Sequence, residues 1–335
     1  MKLNNAFDVK VSSSVFYYYA VVITYKPLPV CSTELPHYSL IVTNVTSLTY
    51  SHLSLYIFHG ASYNLSAIFD HYYITHSQFI LQFGNSLFSC YIKNSSFRSG
   101  LYDFHIFRIT FNAKLNPKKC KFPGYQLVST FVIEDSQFCD NWHGIRISGV
   151  PYLPRTNSNH FVIIIKSCLI SNNTIAGLFI DEKFLTSVQI NIIDTEFIGN
   201  KANVIKNSFF ISLKNVTVAN STSTGLKLIT SIVTIENKLI FRSNTGVVGG
   251  GLSITDSSQL IVSSSTNLEF IDNHASYKGG GIYVEELTKS FIILEAPNIP
   301  LTLINNSAAF GDDIYGYNNH RSNRFNLTNP NISST

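Results

Sequence analysis

Two short strings and five thiols hold the side chains in this chain that could do chemistry. Asp312-Asp313 sets two carboxylates next to each other, the residue type that general acid and base hydrolysis uses. Trp142-His143-Gly144-Ile145-Arg146-Ile147 combines an imidazole, a turn residue and a cation. The cysteines are Cys31, Cys90, Cys120, Cys139 and Cys168, all in the N-terminal half. They form no Cys-x-x-Cys and have no His at zinc-ligand spacing, so neither a metal site nor a cofactor is expected.

Such groups act only if some element aims them, and the elements here come as a repeat. Phe241-Arg-Ser-Asn244 precedes Gly249-Gly250-Gly251-Leu252-Ser-Ile254, and Phe270-Ile-Asp-Asn273 precedes Gly279-Gly280-Gly281-Ile282-Tyr-Val284. A looser copy is Leu303-Ile-Asn-Asn306 before Gly311-Asp-Asp-Ile314. Traced backwards, the anchors are Phe138, Leu169, Phe197, Thr217, Phe241, Phe270 and Leu303, with Asn141, Asn172, Asn200, Asn220, Asn244, Asn273 and Asn306 three residues later. Successive anchors stand 31, 28, 20, 24, 29 and 33 residues apart, a minimum near 20 with variable excess. That is the signature of a stacked coil that takes insertions in its turns.

Alternating apolar pairs follow most of these asparagines, as in Ile145-Arg-Ile147, Leu178-Phe-Ile180 and Leu226-Lys-Leu228, and helical periodicity is nearly absent. Period two puts the flanking residues inward and the middle one outward. The reading is an all-β fold of parallel strands stacked coil on coil. In each coil Phe fills a corner, Asn satisfies turn backbone and stacks on the next Asn, and Gly permits the bend. The expected organisation is a poorly defined N-terminal strand or extension over 1–30, degenerate coils over 31–131, clear coils over 132–317 and a polar, disordered tail over 318–335. Residues 114–124 and 149–159, with their prolines, read as inserted loops.

The pairing of Phe-x-x-Asn with Gly-Gly-Gly-Ile/Leu resembles the repeat of the chlamydial polymorphic outer membrane proteins and of related pectin-lyase-like proteins. It is carried by Phe241, Asn244, Gly249, Gly250, Gly251 and Leu252, and by Phe270, Asn273, Gly279, Gly280, Gly281 and Ile282. The resemblance implies a right-handed parallel β-helix with inserted turn loops and a cell-surface or secreted setting. Nothing in these residues corresponds to the family's outer-membrane barrel. Polysaccharide enzymes of the same fold place acids on the outer face of one sheet, as paired Asp or as Ca²⁺-binding carboxylates beside a base.

That expectation can be tested on the middle residues of the alternating pairs, which form one outward column: Arg146, Phe179, Lys227, Ser253, Tyr283 and Tyr315. None is an acid. Asp312-Asp313 and His143 also sit in the ordinary turn of the repeat, so they are read as structural first and catalytic second. Three residues before the anchors, Asp135, Lys166, Asp194, Lys214 and Lys238 suggest a charge ladder of mostly alternating sign. Adjacent coils would bring Cys139 and Cys168 together as a disulfide, or hold both as free apolar residues.

Composition bounds the partners. Charged residues make up 13% of the chain and the formal net charge is +4, with Lys and Arg scattered, so no footprint for nucleic acid is present. Residues 15–25 are too short for a bilayer helix and are followed by Pro27 and Pro29, and they make a poor signal peptide. Sequons begin at Asn44, Asn64, Asn94, Asn172, Asn215, Asn220, Asn305, Asn326 and Asn331. About six would arise by chance in so Asn-rich a chain. Asn172 and Asn220 are expected to be buried turn residues and unmodified, which leaves Asn44, Asn326 and Asn331 as glycosylation candidates. The expected role is non-enzymatic, an extracellular or surface-displayed adhesion element or spacer with carbohydrate or surface proteins as partners. The alternative is a polysaccharide lyase or hydrolase, or an inactive carbohydrate-binding relative.

Overall fold

The computed structural model describes residues 2–4, 8–17, 20–25, 37–48, 52–57, 64–75, 78–82, 87–98, 105–109, 128–149, 160–181, 188–285, 288–296, 299–316 and 325–327. Among these there is no helix, and so none that is long and apolar enough to cross a membrane. The strands build two large sheets, of 12 and 18 strands, and a small one of three. Pairing is parallel, and each strand meets a strand one pass of the chain later: Val128–Glu134 lies beside His160–Lys166, which lies beside Val188–Ile193. We call one pass through both large sheets a rung; the stacked arrangement is compatible with a β-helix.

Alternation explains why these segments are strands, since each sheet presents one apolar face to a shared interior. In the 18-stranded sheet the register places Ile92, Ile133, Ile165, Ile192, Leu213 and Ile235 one above another, all at 3% exposure or less. Opposite them the 12-stranded sheet stacks Ile147, Ile180, Ile205, Leu228, Ile254 and Val284. Burying each such side chain stabilises the fold by about 1.5–3 kcal/mol. β-Branched residues dominate because their restricted side chains suit the pleated surface.

Corners are set by residues in the left-handed region, where Asn and Asp are the non-glycine residues that fit best. At the first corner Asn44, His71, Asn94, Asp135, Ser167, Asp194 and Asn215 have φ between 49° and 52°. At the second, after a short strand, Asp140, Asn172, Gly199, Asn220, Ser243, Asp272 and Asn305 lie between 52° and 64°. A third corner, where the chain leaves the 12-stranded sheet, uses Asn207, Thr230 and Asp256.

The stack takes in parts of both terminal segments. Lys2–Asn4, Asp8–Tyr17 and Ala20–Tyr25 pair with later strands, so these parts of the segment expected to be a poorly defined strand or extension belong to the two large sheets. Phe325–Leu327, inside the segment expected to be a disordered tail, pairs with Ile299–Leu301. Apart from Gly149, the inserted loops expected over 114–124 and 149–159 lie outside the described residues, as do Cys31, Cys120 and Asn331.

Candidate functional site

The second corner is where the repeat concentrates its polar groups. Directly after each left-handed residue, one side chain turns inward and serves two neighbouring rungs. Asn173 donates from Nδ2 to the Phe138 carbonyl (3.1 Å) and to Asn200 Oδ1 (2.8 Å), while its own Oδ1 accepts the Asn141 amide (3.0 Å). Asn244 repeats this with the Val218 carbonyl (2.9 Å), Asn273 Oδ1 (2.9 Å) and the Ser221 amide (3.0 Å). Asn273 does so with Phe241, Asn306 and the Asn244 amide. All of these asparagines are buried, so every bond is made in a medium where its loss leaves a group without water.

Register corrects two rungs of the sequence reading. Phe138 pairs with Ile170, Ile170 with Phe197, Phe197 with Val218, and Val218 with Phe241, so the inward anchors are Ile170 and Val218 and not Leu169 and Thr217. The ladder residues three positions on are therefore Asn173 and Ser221. Asn172 and Asn220 are the left-handed corner residues before them, and both are exposed, the reverse of the expected burial. Phe97 extends the anchor column one rung earlier, stacked on Phe138 with ring centroids 4.8 Å apart, as are Phe241 and Phe270. Ser221 interrupts the ladder, and its buried Oγ has no partner among the described residues.

Asp313 closes the ladder. Its Oδ1 accepts from Asn306 Nδ2 at 2.8 Å, the bond that elsewhere goes to the asparagine of the following rung. Burial holds its carboxyl above the ordinary value of 3.8, with the Asn306 hydrogen bond opposing the shift and Asp312 adding to it. Asp312 caps the preceding turn through the Ala308 amide at 2.9 Å. The two carboxylates stand at the register positions of Gly280 and Gly281 in the rung before. His143 is buried, with its ring edge-on to Phe179 at 5.8 Å. The register from Ile145 through Leu178, Asn203, Leu226, Leu252 and Ile282 to Ile314 separates the His143 and Asp313 rungs by six strand spacings, about 29 Å, so they share no site.

The first corner carries charge and hydroxyls. Lys166 Nζ donates to Glu134 Oε1 at 2.8 Å and the Tyr91 hydroxyl donates to Oε2 at 2.6 Å. Together they hold the Glu134 carboxyl below its usual range, the lysine contributing most. The partner of Lys166 is thus Glu134, one residue before the expected Asp135. Asp135 and Asp194 are corner residues, Lys214 stands level with Glu236, and Lys238 pairs with Glu269 at 2.9 Å. Behind each of several corners sits a small inward group. Ser95, Ser136, Cys168 and Thr195 form one run, with Ser95 N–H donating to Ser136 Oγ and Cys168 N–H to Thr195 Oγ1. Ser208, Ser231 and Ser258 do the same at the third corner.

Cys168 therefore stands in a hydroxyl's place, its thiol donating to the Lys166 carbonyl at 3.2 Å and pushed up to about 12 by burial. Cys139 accepts from the Ser171 hydroxyl at 3.1 Å. Both are free thiols, as is Cys90, so the cysteine pair expected as one alternative is not joined. Sequence reasoning missed these hydroxyl runs and also Asn203, which faces inward where other rungs carry Leu or Ile. Its amide spans Leu178 N–H (3.1 Å) and the Gly225 carbonyl (2.7 Å). The one available signal was a serine, threonine or cysteine following a left-handed residue at several corners.

The outward column of the 12-stranded sheet runs Arg146, Phe179, Val204, Lys227, Ser253, Tyr283 and Tyr315 in consecutive register. Val204 joins the residues expected, and no carboxylate is among them. Arg146 lies 5.4 Å from the Phe179 ring centre, and Tyr283 stacks on Tyr315 at 6.0 Å. In the last rungs the third sheet, Thr245–Val248, His274–Lys278 and Ser307–Phe310, rises beside this column and brings Lys278 Nζ to 4.2 Å over the Tyr315 ring. Tyr277 and Phe310 meet edge to face at 5.5 Å, both about half exposed. The patch offers aromatic faces and a cation. Among the described residues, no group of three or more His, Cys, Asp or Glu is placed to hold a metal ion. Comparison with family models, with curated proteins and with solved structures gave no match.

Proposed function

We propose that the chain is a right-handed parallel β-helix acting without catalysis, as an adhesion element or rigid spacer outside the cell or on its surface. The observation that carries this reading is how the reactive side chains are spent. Asp313 ends the asparagine ladder, Glu134 binds Lys166 and Tyr91, and Cys168 fills a hydroxyl position. The column that bears the acids in polysaccharide enzymes of this fold carries aromatic, basic and small residues here. The likeness of the Phe241 and Phe270 units to the repeats of chlamydial surface proteins supports both the handedness and the setting.

A second reading, a carbohydrate-binding relative or polysaccharide enzyme, draws on one feature: the Tyr283–Tyr315 stack with Lys278 above it, because aromatic faces can pack on sugar rings. A reducing-sugar assay over pectic and other polysaccharides, with and without Ca²⁺, separates the two. No release is expected. Release abolished by Asp312→Ala and Asp313→Ala would overturn the non-enzymatic reading. Binding without release, lost in Tyr315→Ala, would move the conclusion to carbohydrate recognition.

A further inference from the structure

The first two corners repeat the same geometry with different residues, so they supply their own control. At each one the fold asks for a left-handed residue, then an inward residue, then the first residue of the next segment. Any preference for a hydroxyl in that third place should be independent of which residue occupies the first. It is not. At the first corner the asparagines Asn44, Asn94 and Asn215 are followed two positions on by Thr46, Ser96 and Thr217. Ser13, His71, Asp135, Ser167 and Asp194, in the same conformation, are followed by Val15, Tyr73, Gln137, Leu169 and Glu196.

The second corner behaves alike. Asn172, Asn220 and Asn305 precede Thr174, Thr222 and Ser307, whereas Asp140, Gly199 and Asp272 precede Trp142, Lys201 and His274. The two exceptions are Ser243, followed by Thr245, and Asn237, followed by Leu239. Hydroxyl and asparagine thus travel together although the backbone does not require it. Nor do the described hydrogen bonds join them. The Thr174 hydroxyl donates to the Asn141 carbonyl, and Asn215 Nδ2 donates to Asp194 Oδ1 at 2.9 Å.

We infer that these corner asparagines are N-glycosylation sites: Asn44, Asn172, Asn215, Asn220 and Asn305, which are exposed, and Asn94, which is half-buried. The inference rests on the extracellular reading above, because the modification requires passage through a secretory compartment. In the transfer, the amide Nδ2 forms a bond to the anomeric carbon of an oligosaccharide carried on a lipid diphosphate. The bond from that carbon to the diphosphate oxygen breaks, the lipid diphosphate leaves, and the amide nitrogen loses one proton. One N–H remains on Nδ2, enough for the bonds Asn94 makes to Asp70 and Asn215 makes to Asp194.

Spacing along the stack accommodates the product. On the second corner Asn172 and Asn220 are two rungs apart and Asn305 three further on; on the first, Asn44 and Asn94 are two apart. No two sequons occupy adjacent rungs of one column, where about 4.8 Å would separate their glycans; the closest are about 10 Å apart. Both columns border the narrow face made by the short strands Ser96–Arg98, Gln137–Cys139, Leu169–Ser171 and Glu196–Ile198. Glycans there would cover that face and leave the outward column with Tyr283 and Tyr315 open.

The test uses protein isolated from the cells that make it, mapped by mass spectrometry after peptide N-glycosidase, which converts each released site to Asp. Fractionation of the same cells reads location separately. Modification at Asn172, Asn220 and the other corner sites is expected. Surface or secreted protein with these asparagines bare, whether or not Asn64, Asn326 or Asn331 is modified, would overturn the inference and leave the proposed function standing. Internal, unmodified protein would overturn both. Ser243→Asn creates a sequon at a corner of the same geometry and should add one site; a secreted variant without it would also count against the inference.

Discussion

The rungs from Phe138 to Ile229 and those from Phe241 to Tyr315 solve the same corner in two ways. In the earlier set the chain passes almost directly from the ladder residue to the 12-stranded sheet, from Asn173 to Ala176–Asp181. In the later set the strands Thr245–Val248, His274–Lys278 and Ser307–Phe310 intervene and pair with one another as a third sheet. The ladder is common to both; the glycine run is not. Gly249, Gly279 and Gly311, with φ of 61°, 63° and 63°, turn the chain back from the third sheet. The comparison separates what every rung needs, an inward amide, from what only a wide rung needs, a close backbone crossing.

The largest expected effect addresses the shared part. Asn173→Ala and Asn244→Ala each remove an amide that serves three buried groups in the same arrangement, so each should cost about 3–5 kcal/mol in chemical denaturation. Asn172→Ala, one residue away and exposed, should cost far less. Unequal losses at Asn173 and Asn244 would break the claim that the ladder is indifferent to rung width.

Next comes the part confined to wide rungs. A Cβ on Gly250 would lie 2.6 Å from the His274 carbonyl oxygen, a backbone atom that cannot rotate aside. Gly250→Ala should therefore lower stability by about 1–3 kcal/mol. A neutral result would mean that the third sheet is free to shift.

A gain is expected where the ladder is broken. Ser221→Asn would supply the missing amide between Asn200 and Asn244 and should raise stability by about 1 kcal/mol, read as a higher Tm. No gain would show that the rung at Ser221 is too tight for the larger side chain.

The smallest effect depends on pH. Asp313 has its carboxyl raised in the folded state, so its contribution is fully present below the ordinary value of 3.8 and is lost as pH rises through the folded value. Asp313→Asn keeps the acceptor for Asn306 without the charge. It should be more stable than the parent near neutral pH, with the advantage shrinking as pH falls toward 4. A constant difference across that range would remove the burial argument.

Legibility followed the same division. Phe241-x-x-Asn244 and Phe270-x-x-Asn273 with their glycines were readable because wide rungs spell the corner with residues of unlike type. Two of the narrow rungs were readable only to within one residue. Asn172-Asn173 offers two asparagines, one for the left-handed corner and one for the ladder, and Leu169-Ile170 offers two apolar residues for one inward place. At Asn220-Ser221 the only asparagine is the corner residue. Glu134-Asp135 sets the same trap for the charge column, since the corner reverses which of two adjacent acids lies on the strand. The outward column was legible almost entirely, because period two leaves no such ambiguity inside a strand. Cysteine and serine behind the first corner were not, because a small inward side chain reads equally as core filler or hydrogen-bond partner.

The ladder also has a direction. Each inward asparagine accepts the amide of the rung before it and donates to that rung's anchor carbonyl, so a rung is completed only by its successor. A chain emerging N-terminus first would therefore settle like a ratchet, each new turn locking the one already made and leaving its own tooth open. At Asp313 one of these contacts is made from within the same turn, its carboxylate accepting the Asn306 amide hydrogen that in other rungs goes to the following asparagine.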